Sequence, residues 1–418
     1  MRGTSVNFTV MDKKILMFYT LLFVMQIVLS KPNIVISSPS RIMFILAVLL
    51  PLFVNMKYFP FVLISFSGIS GLSFSPILPT KGFWLLAVAI FSLLFIKSLK
   101  FRHSFLFFVF YCIIINLMHG QLDIAVFASI LTVILSTIHI KNQQSVDLMS
   151  IAFMIVSLVL SLLYLFYKND FATFYIESMA IERYGWINPN VLGGCIGIGV
   201  VLSVMRLLKI SGFIVNKLMI CVAVVTIVLS FMTLVILASR GALVATCISI
   251  GFLIFTSKVQ ARYKLLLGIL IVVMGIILWK NGYFTLLEVR MNEDSLDSGG
   301  GRLAIWVLKL SCFFNDMCFW ENLFGIGQEN CINIGTYIST HNDFITAIIA
   351  FGIIGFIIFC WLLLQPLILA RGKSKTIVYI LWLYLVIECC VLEPVFRGYI
   401  VLLMYYVFIY KYAQFLKN

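Results

Sequence analysis

The chain has 418 residues, of which 62% are hydrophobic and 11% charged. Soluble proteins carry roughly 25% charged residues, so an ordinary soluble fold is excluded and an all-α polytopic membrane protein is expected. The net charge of +14 would point to nucleic acid in a soluble chain. In a membrane protein the gathering of Lys and Arg in cytoplasmic loops accounts for it, and no nucleic-acid partner is expected.

The first apolar run follows Asp12, Lys13 and Lys14 and is closed by no small-x-small cleavage site, so it reads as a span. Apolar runs then predict spans near 15–30, 42–56, 58–72, 83–96, 104–118, 122–140, 148–167, 189–208, 214–237, 241–257, 264–280, 343–364, 376–392 and 396–411. Several are shorter than the ~20 residues a helix needs to cross. The stretch 42–72 is interrupted by Pro51, Lys57 and Pro60, so the expected count is 12 to 14 spans in one integral membrane domain, 1–418. Placing both termini in the cytoplasm brings the basic clusters at 97–102, 206–217, 258–264 and 371–375 inside, which the opposite orientation would forbid.

Two outside loops are then long, 168–188 and 281–342. Residues 281–343 hold Glu288, Glu293, Asp294, Asp297, Asp316, Glu321, Glu329 and Asp343, half of the 16 acidic residues. Within this loop Leu303, Trp306, Val307, Leu310, Phe313 and Phe314 fall on one side of a short helix, with Arg302 and Lys309 elsewhere. A helix in the lipid interface and a helix packed over the bundle both satisfy that pattern. Cys312, Cys318 and Cys331 also lie here; one disulfide among them is allowed by number, and three thiols cannot all pair. The remaining cysteines, such as Cys195, Cys221 and Cys360, sit in apolar runs as small hydrophobes.

Chemistry-bearing residues concentrate outside. His103, His119 and His139 stand at span ends and read as interfacial polar residues. His341 lies in Ser339-Thr340-His341-Asn342-Asp343, immediately before an apolar run, among residue types that cap helices. The positive end of a helix dipole disfavours imidazolium, and a neutral imidazole can act as a general base. The plainer reading is a histidine that decorates a capped helix start. Arg240, in Ser239-Arg240-Gly241, occupies a tight outside turn, where a snorkelling interfacial arginine is the plainer reading. Arg302 follows Gly299-Gly300-Gly301 and opens the loop helix, where a guanidinium fork and a helix N-terminus suit phosphate; its plainer reading is a surface arginine beside a flexible loop. In the other long loop, Asn188-Pro189-Asn190 is a helix start. Glu182 and Arg183 beside it are within reach of a polar ligand. Glu388, Glu393 and Arg397 flank a further outside turn, where ion pairing is the default and Arg397 is a candidate substrate contact.

No Asp-x-Asp occurs and the outside loop 31–41 has no acid, so metal-dependent sugar transfer is not expected. No nucleotide-binding loop is present, and no cofactor is expected.

Taken in order, Asn188-Pro189-Asn190-Val191-Leu192-Gly193-Gly194, Ala238-Ser239-Arg240-Gly241-Ala242-Leu243, Gly301-Arg302-Leu303-Ala304-Ile305-Trp306, Phe324-Gly325-Ile326-Gly327, and His341-Asn342-Asp343-Phe344 leading to Phe351-Gly352-Ile353-Ile354-Gly355 resemble the O-antigen polymerase and ligase superfamily. The resemblance covers about 188–357; the first 180 residues match in hydropathy alone. It implies a bacterial inner-membrane enzyme with a periplasmic site. Such enzymes transfer glycan from an undecaprenyl-diphosphate carrier to an acceptor hydroxyl without metal. By resemblance Arg240 and Arg302 would hold the diphosphate, His341 would take the acceptor proton, and Arg183, Asn190 and Arg397 are further substrate candidates. A polymerase of lipid-linked repeat units is preferred, with a chain-length regulator as a partner of that reading. A ligase acting on lipid A-core is the alternative. A lipid-linked oligosaccharide flippase would instead need charges buried near the bilayer midplane.

Overall fold

The computed structural model describes residues 10–29, 37–70, 83–95, 103–121, 124–166, 189–210, 213, 216–237, 239–256, 261–282, 284, 302–336, 338–372 and 375–415. Among them the regular structure is helical throughout, without a strand. In chain order the helices are α1 Val10–Leu29, α2 Ser38–Leu49, α3 Phe59–Ser70, α4 Phe83–Leu94, α5 His103–Met118, α6 Ile124–His139, α7 Gln143–Phe166, α8 Pro189–Leu207, α9 Lys217–Ile236, α10 Arg240–Thr256 and α11 Ala261–Lys280. The loop helices α12 Arg302–Asn315, α13 Phe319–Phe324 and α14 Gln328–Asn333 follow, and then α15 Asp343–Leu369, α16 Lys375–Val391 and α17 Ile400–Phe415. Each apolar run expected to span falls on one of these helices.

The helices α7, α8, α9 and α15 are long and apolar enough to cross a membrane, and shorter apolar helices accompany them. The protein is an all-helical polytopic membrane protein. The irregular stretch 42–72 is explained by its prolines. Pro51 opens a 3₁₀ turn, Leu50–Phe53, directly after α2, and Pro60 stands in the first turn of α3, where a missing N–H costs nothing.

The chain divides into two compact units. The first comprises residues 1–95 and 139–284, with residue 418. Its centre is the packing of α7 against α8 and α9, with α3 on α7 and α10 on α8. Small residues allow the close approach. A Cβ on Gly199 would fall 2.1 Å from that of Ser157, and the Ser157 hydroxyl donates to the Ile196 carbonyl at 2.7 Å. Asp147 near the start of α7 and Arg206 near the end of α8 form a buried ion pair at 2.5 Å. This pair lies toward the helix ends, not at their middle. His139 in this unit is buried, its Nε2 2.9 Å from the Ser92 hydroxyl, so it is a core residue and not an interfacial one.

The second unit comprises residues 96–138 and 285–417. Here α15 is the central element, packed by α5, α12, α13, α14, α16 and α17. The loop expected over 281–342 thus folds, from 302 onward, into helices that pack on α15. Cys312, Cys318 and Cys331 carry free thiols.

Candidate active site

His341 stands one residue ahead of Asn342, the N-cap of α15, whose Oδ1 accepts from the backbone N–H groups of Phe344 at 2.9 Å and Ile345 at 3.2 Å. The helix start expected from residue type is therefore present. Sequence gave no sign of the backbone at His341, which is left-handed with φ 50. Such a conformation is uncommon outside glycine, and it persists only where its surroundings over-determine it.

Those surroundings converge on Glu393, in the connection between α16 and α17. Its buried carboxylate accepts from the hydroxyls of Ser339 and Thr340, from the Thr346 hydroxyl at 2.6 Å, and from Arg397 Nε at 3.0 Å. Burial alone would push this carboxyl up, but the Arg397 guanidinium and the three hydroxyls outweigh it and hold it below the ordinary Glu value. The anion is therefore maintained at neutral pH. Its stabilising contribution is lost only as pH falls through that depressed value. The end of α16 and the same connection are tied to the helix start by three further bonds. Asn342 Nδ2 donates to the Cys390 carbonyl at 3.3 Å, and Asp343 accepts from the N–H groups of Val395 at 3.2 Å and Phe396 at 3.4 Å.

Ten residues further on, α15 breaks. Gly352 has φ 66 and ψ −174, which interrupts the helical ladder and strands the carbonyls before it. The segment Phe324-Gly325-Ile326-Gly327 fills the gap: the N–H of Ile326 donates to Ile349 O at 3.3 Å and that of Gly327 to Ala350 O at 2.9 Å. From α5, the Tyr111 hydroxyl donates to Phe351 O at 2.9 Å. His119 Nε2 meets Gly325 O at 3.2 Å. A Cβ on Gly352 would lie 2.4 Å from the Leu323 carbonyl oxygen, and one on Gly325 would lie 2.3 Å from that of Ala350. These glycines let two backbones meet. Gly352→Ala is expected to destabilise the protein by about 1–3 kcal/mol through strain at this positive φ, with further loss from the backbone clash. The measurement is the melting temperature of the purified protein in detergent, and an unchanged value would show that the break can relax.

Arg302 is the first residue of α12, as expected, and its Nη1 donates to the Val391 carbonyl at 3.0 Å. One turn on, Trp306 Nε1 donates to the Thr340 carbonyl at 2.7 Å, next to His341. Helix α12 is thereby tied through Arg302 to the end of α16 and through Trp306 to the residue before His341. Lys309 is fully buried, and its ammonium donates to the carbonyls of Cys331 at 2.6 Å, Ile332 at 3.0 Å and Ile334 at 3.1 Å, closing the end of α14. Burial lowers its pKa from the ordinary Lys value. The expected apolar side of α12 is divided. Phe313 is buried and Trp306 and Leu310 are half-buried, while Leu303, Val307 and Phe314 are exposed. The packed face is rotated toward Lys309, so the helix both packs on the bundle and presents an apolar edge.

In the first unit Arg240 is the first residue of α10 and Asn190 the second of α8. Ser239 joins them, its hydroxyl donating to Asn190 Oδ1 at 3.3 Å. A Cβ on Gly193 would lie 2.6 Å from that hydroxyl oxygen, so the two helix starts are closely apposed. Arg240 and Arg302 each open a helix and His341 stands just ahead of one, where the helix dipole favours negative charge. Arg397 is held by Glu393, the ion pairing expected by default, with its side chain 35% exposed. Arg183 and Gly299-Gly300-Gly301 lie outside the described residues.

Sequence reasoning missed Glu393 as a hub, Lys309 as a buried cap, and Tyr111 at the helix break. Only the paired glycine motifs carried a signal, since closely spaced glycines mark backbones that approach one another.

Residues 225–360 match the family model Wzy_C, described as O-antigen ligase. This stretch is thus similar to a family whose members are membrane glycosyl-transfer enzymes acting on lipid-linked oligosaccharides. It takes in Arg240, Arg302 and His341 and leaves Asn190 and Arg397 outside. No curated protein matches the chain.

Proposed function

We propose that the protein polymerises lipid-linked oligosaccharide repeat units by glycosyl transfer at the periplasmic face of a bacterial inner membrane, with both termini in the cytoplasm. The observation that carries the reading is His341, in a left-handed backbone just ahead of the N-cap Asn342, which bonds to the same end of α16 that Arg302 holds. The acceptor hydroxyl oxygen bonds to the anomeric carbon of the donor glycan. The bond from that carbon to the undecaprenyl diphosphate breaks, and the diphosphate leaves with the electron pair. His341 receives the hydroxyl proton. Arg302 and Arg240 stabilise the charge that grows on the diphosphate, which is where binding energy accelerates the step. Asn190 and Arg397 are secondary candidates for the glycan, and a chain-length regulator is the protein partner this reading implies.

The superfamily also contains ligases, which move finished glycan to lipid A-core. Glycolipid extracted from cells lacking the protein distinguishes the two. A polymerase defect leaves a single repeat unit on core, whereas bare core with polymer stranded on the carrier would transfer the function to the ligase. Transfer by the purified protein is expected to survive EDTA, since charge on the leaving group is met by guanidinium. Loss of activity restored by Mg²⁺ would count against this mechanism.

A further inference from the structure

We propose that Glu393 is a positioning residue for the transfer, holding the left-handed backbone of His341, and with it the imidazole, through the hydroxyls that flank it on both sides. The inference rests on His341 as the general base. Glu393 Oε1 accepts from Thr340 and Thr346 and Oε2 from Ser339 and Arg397, so this carboxylate gathers the two residues before His341 and one a turn beyond it. The grip comes from 47 to 54 residues away in sequence.

Several features set this apart from ordinary core stability. A buried carboxylate is costly to desolvate, and apolar side chains of similar volume often stabilise a core equally well. Here its acceptor capacity is directed at the segment 339–346, whose centre is a non-glycine residue with φ 50. Trp306 adds a fixed bond to the Thr340 carbonyl at 2.7 Å, and Asn342 is fixed as the N-cap. A side chain whose base must lie within hydrogen-bond reach of an acceptor proton needs that kind of restraint. Without Glu393 the segment can relax to right-handed or extended backbone, which carries the imidazole away while leaving α15 in place.

The test uses the full-length protein in detergent or liposomes with an undecaprenyl-diphosphate-linked repeat unit as donor. Glu393→Ala is expected to lower kcat on the order of 100-fold, within the range that a general base contributes. Donor KM should stay within about 3-fold, because the arginines proposed to hold the diphosphate, Arg240 and Arg302, are left unchanged. Glu393→Gln retains one acceptor oxygen and should lose roughly 10-fold. Thr346→Val removes a single donor at equal volume and should lose about 2–10-fold, which keeps the test open if Glu393→Ala fails to fold. Two readouts separate positioning from general stability. In a His341→Ala background, Glu393→Gln should cost less than about 3-fold more, since residues acting as a unit are not additive. Amide hydrogen exchange should quicken at 340–346 and stay unchanged at 353–369. Additive losses in the double variant, or unchanged exchange at 340–346, overturn the proposal. Full activity in His341→Ala removes the base assignment instead, whatever the exchange shows.

Discussion

His341→Ala is expected to lower the rate of glycan transfer about 10²–10⁴-fold, the usual contribution of a positioned general base. Donor affinity should change little, because the residues proposed to hold the diphosphate are arginines elsewhere. The left-handed backbone supplies a control that an ordinary histidine would lack. Asparagine is among the residues that most readily adopt this conformation, so His341→Asn should fold with near-native melting behaviour and yet be as inactive as His341→Ala. Equal loss in both variants assigns the effect to the imidazole; rescue in His341→Asn would assign it to the backbone. In cells, a normal ladder of glycan lengths from His341→Ala would sink the assignment.

Arg302→Ala should cost about 10²–10³-fold in kcat, the scale seen when a donor to transition-state charge is removed. Arg302→Lys is the sharper test. The guanidinium already donates through Nη1 to the Val391 carbonyl at 3.0 Å, which fixes its plane. A guanidinium meets a phosphate through a planar fork of N–H groups, whereas an ammonium offers a point charge without that direction. Arg302→Lys should therefore remain impaired at least about 10-fold, at normal protein level. Full activity would reduce the residue to a generic positive charge. Arg240→Ala is expected to behave like Arg302→Ala, since the proposed mechanism gives the two arginines the same role.

Helix positions were legible because lipid imposes a simple rule: long apolar runs bounded by proline, glycine or basic residues become helices. The cap at Asn342 was legible for a similar reason, since capping is local chemistry. Glu393 was not. In sequence it has Arg397 four residues away, and ion pairing accounts for it, while its hydroxyl partners lie two helices back, ahead of α15 and in its first turn. Lys309 was misleading in a different way. On a helical wheel it stands apart from the apolar residues, and only folding brings the open carbonyls at the end of α14 to it. Arg302 and His341 were each picked out and given roles in one reaction by resemblance, but the attachment of Arg302 and of Asn342 beside His341 to the end of α16 depends on three segments distant in sequence.

The broken helix also bears on how the site relates to the lipid. Unbroken, the 27 residues of α15 would form a rod of about 40 Å, longer than a hydrocarbon core of about 30 Å. A continuous rod of that length must tilt as the bilayer thins or thickens, and its far end would swing. The interruption at Gly352 divides it into a short rod and a longer one, residues 353–369, of about 25 Å. The short rod that carries His341 is fastened instead to Tyr111, to the glycine segment at 325–327 and to the Glu393 connection. Tilting of the longer rod therefore need not carry His341 with it, because the position of His341 is referenced to these protein contacts.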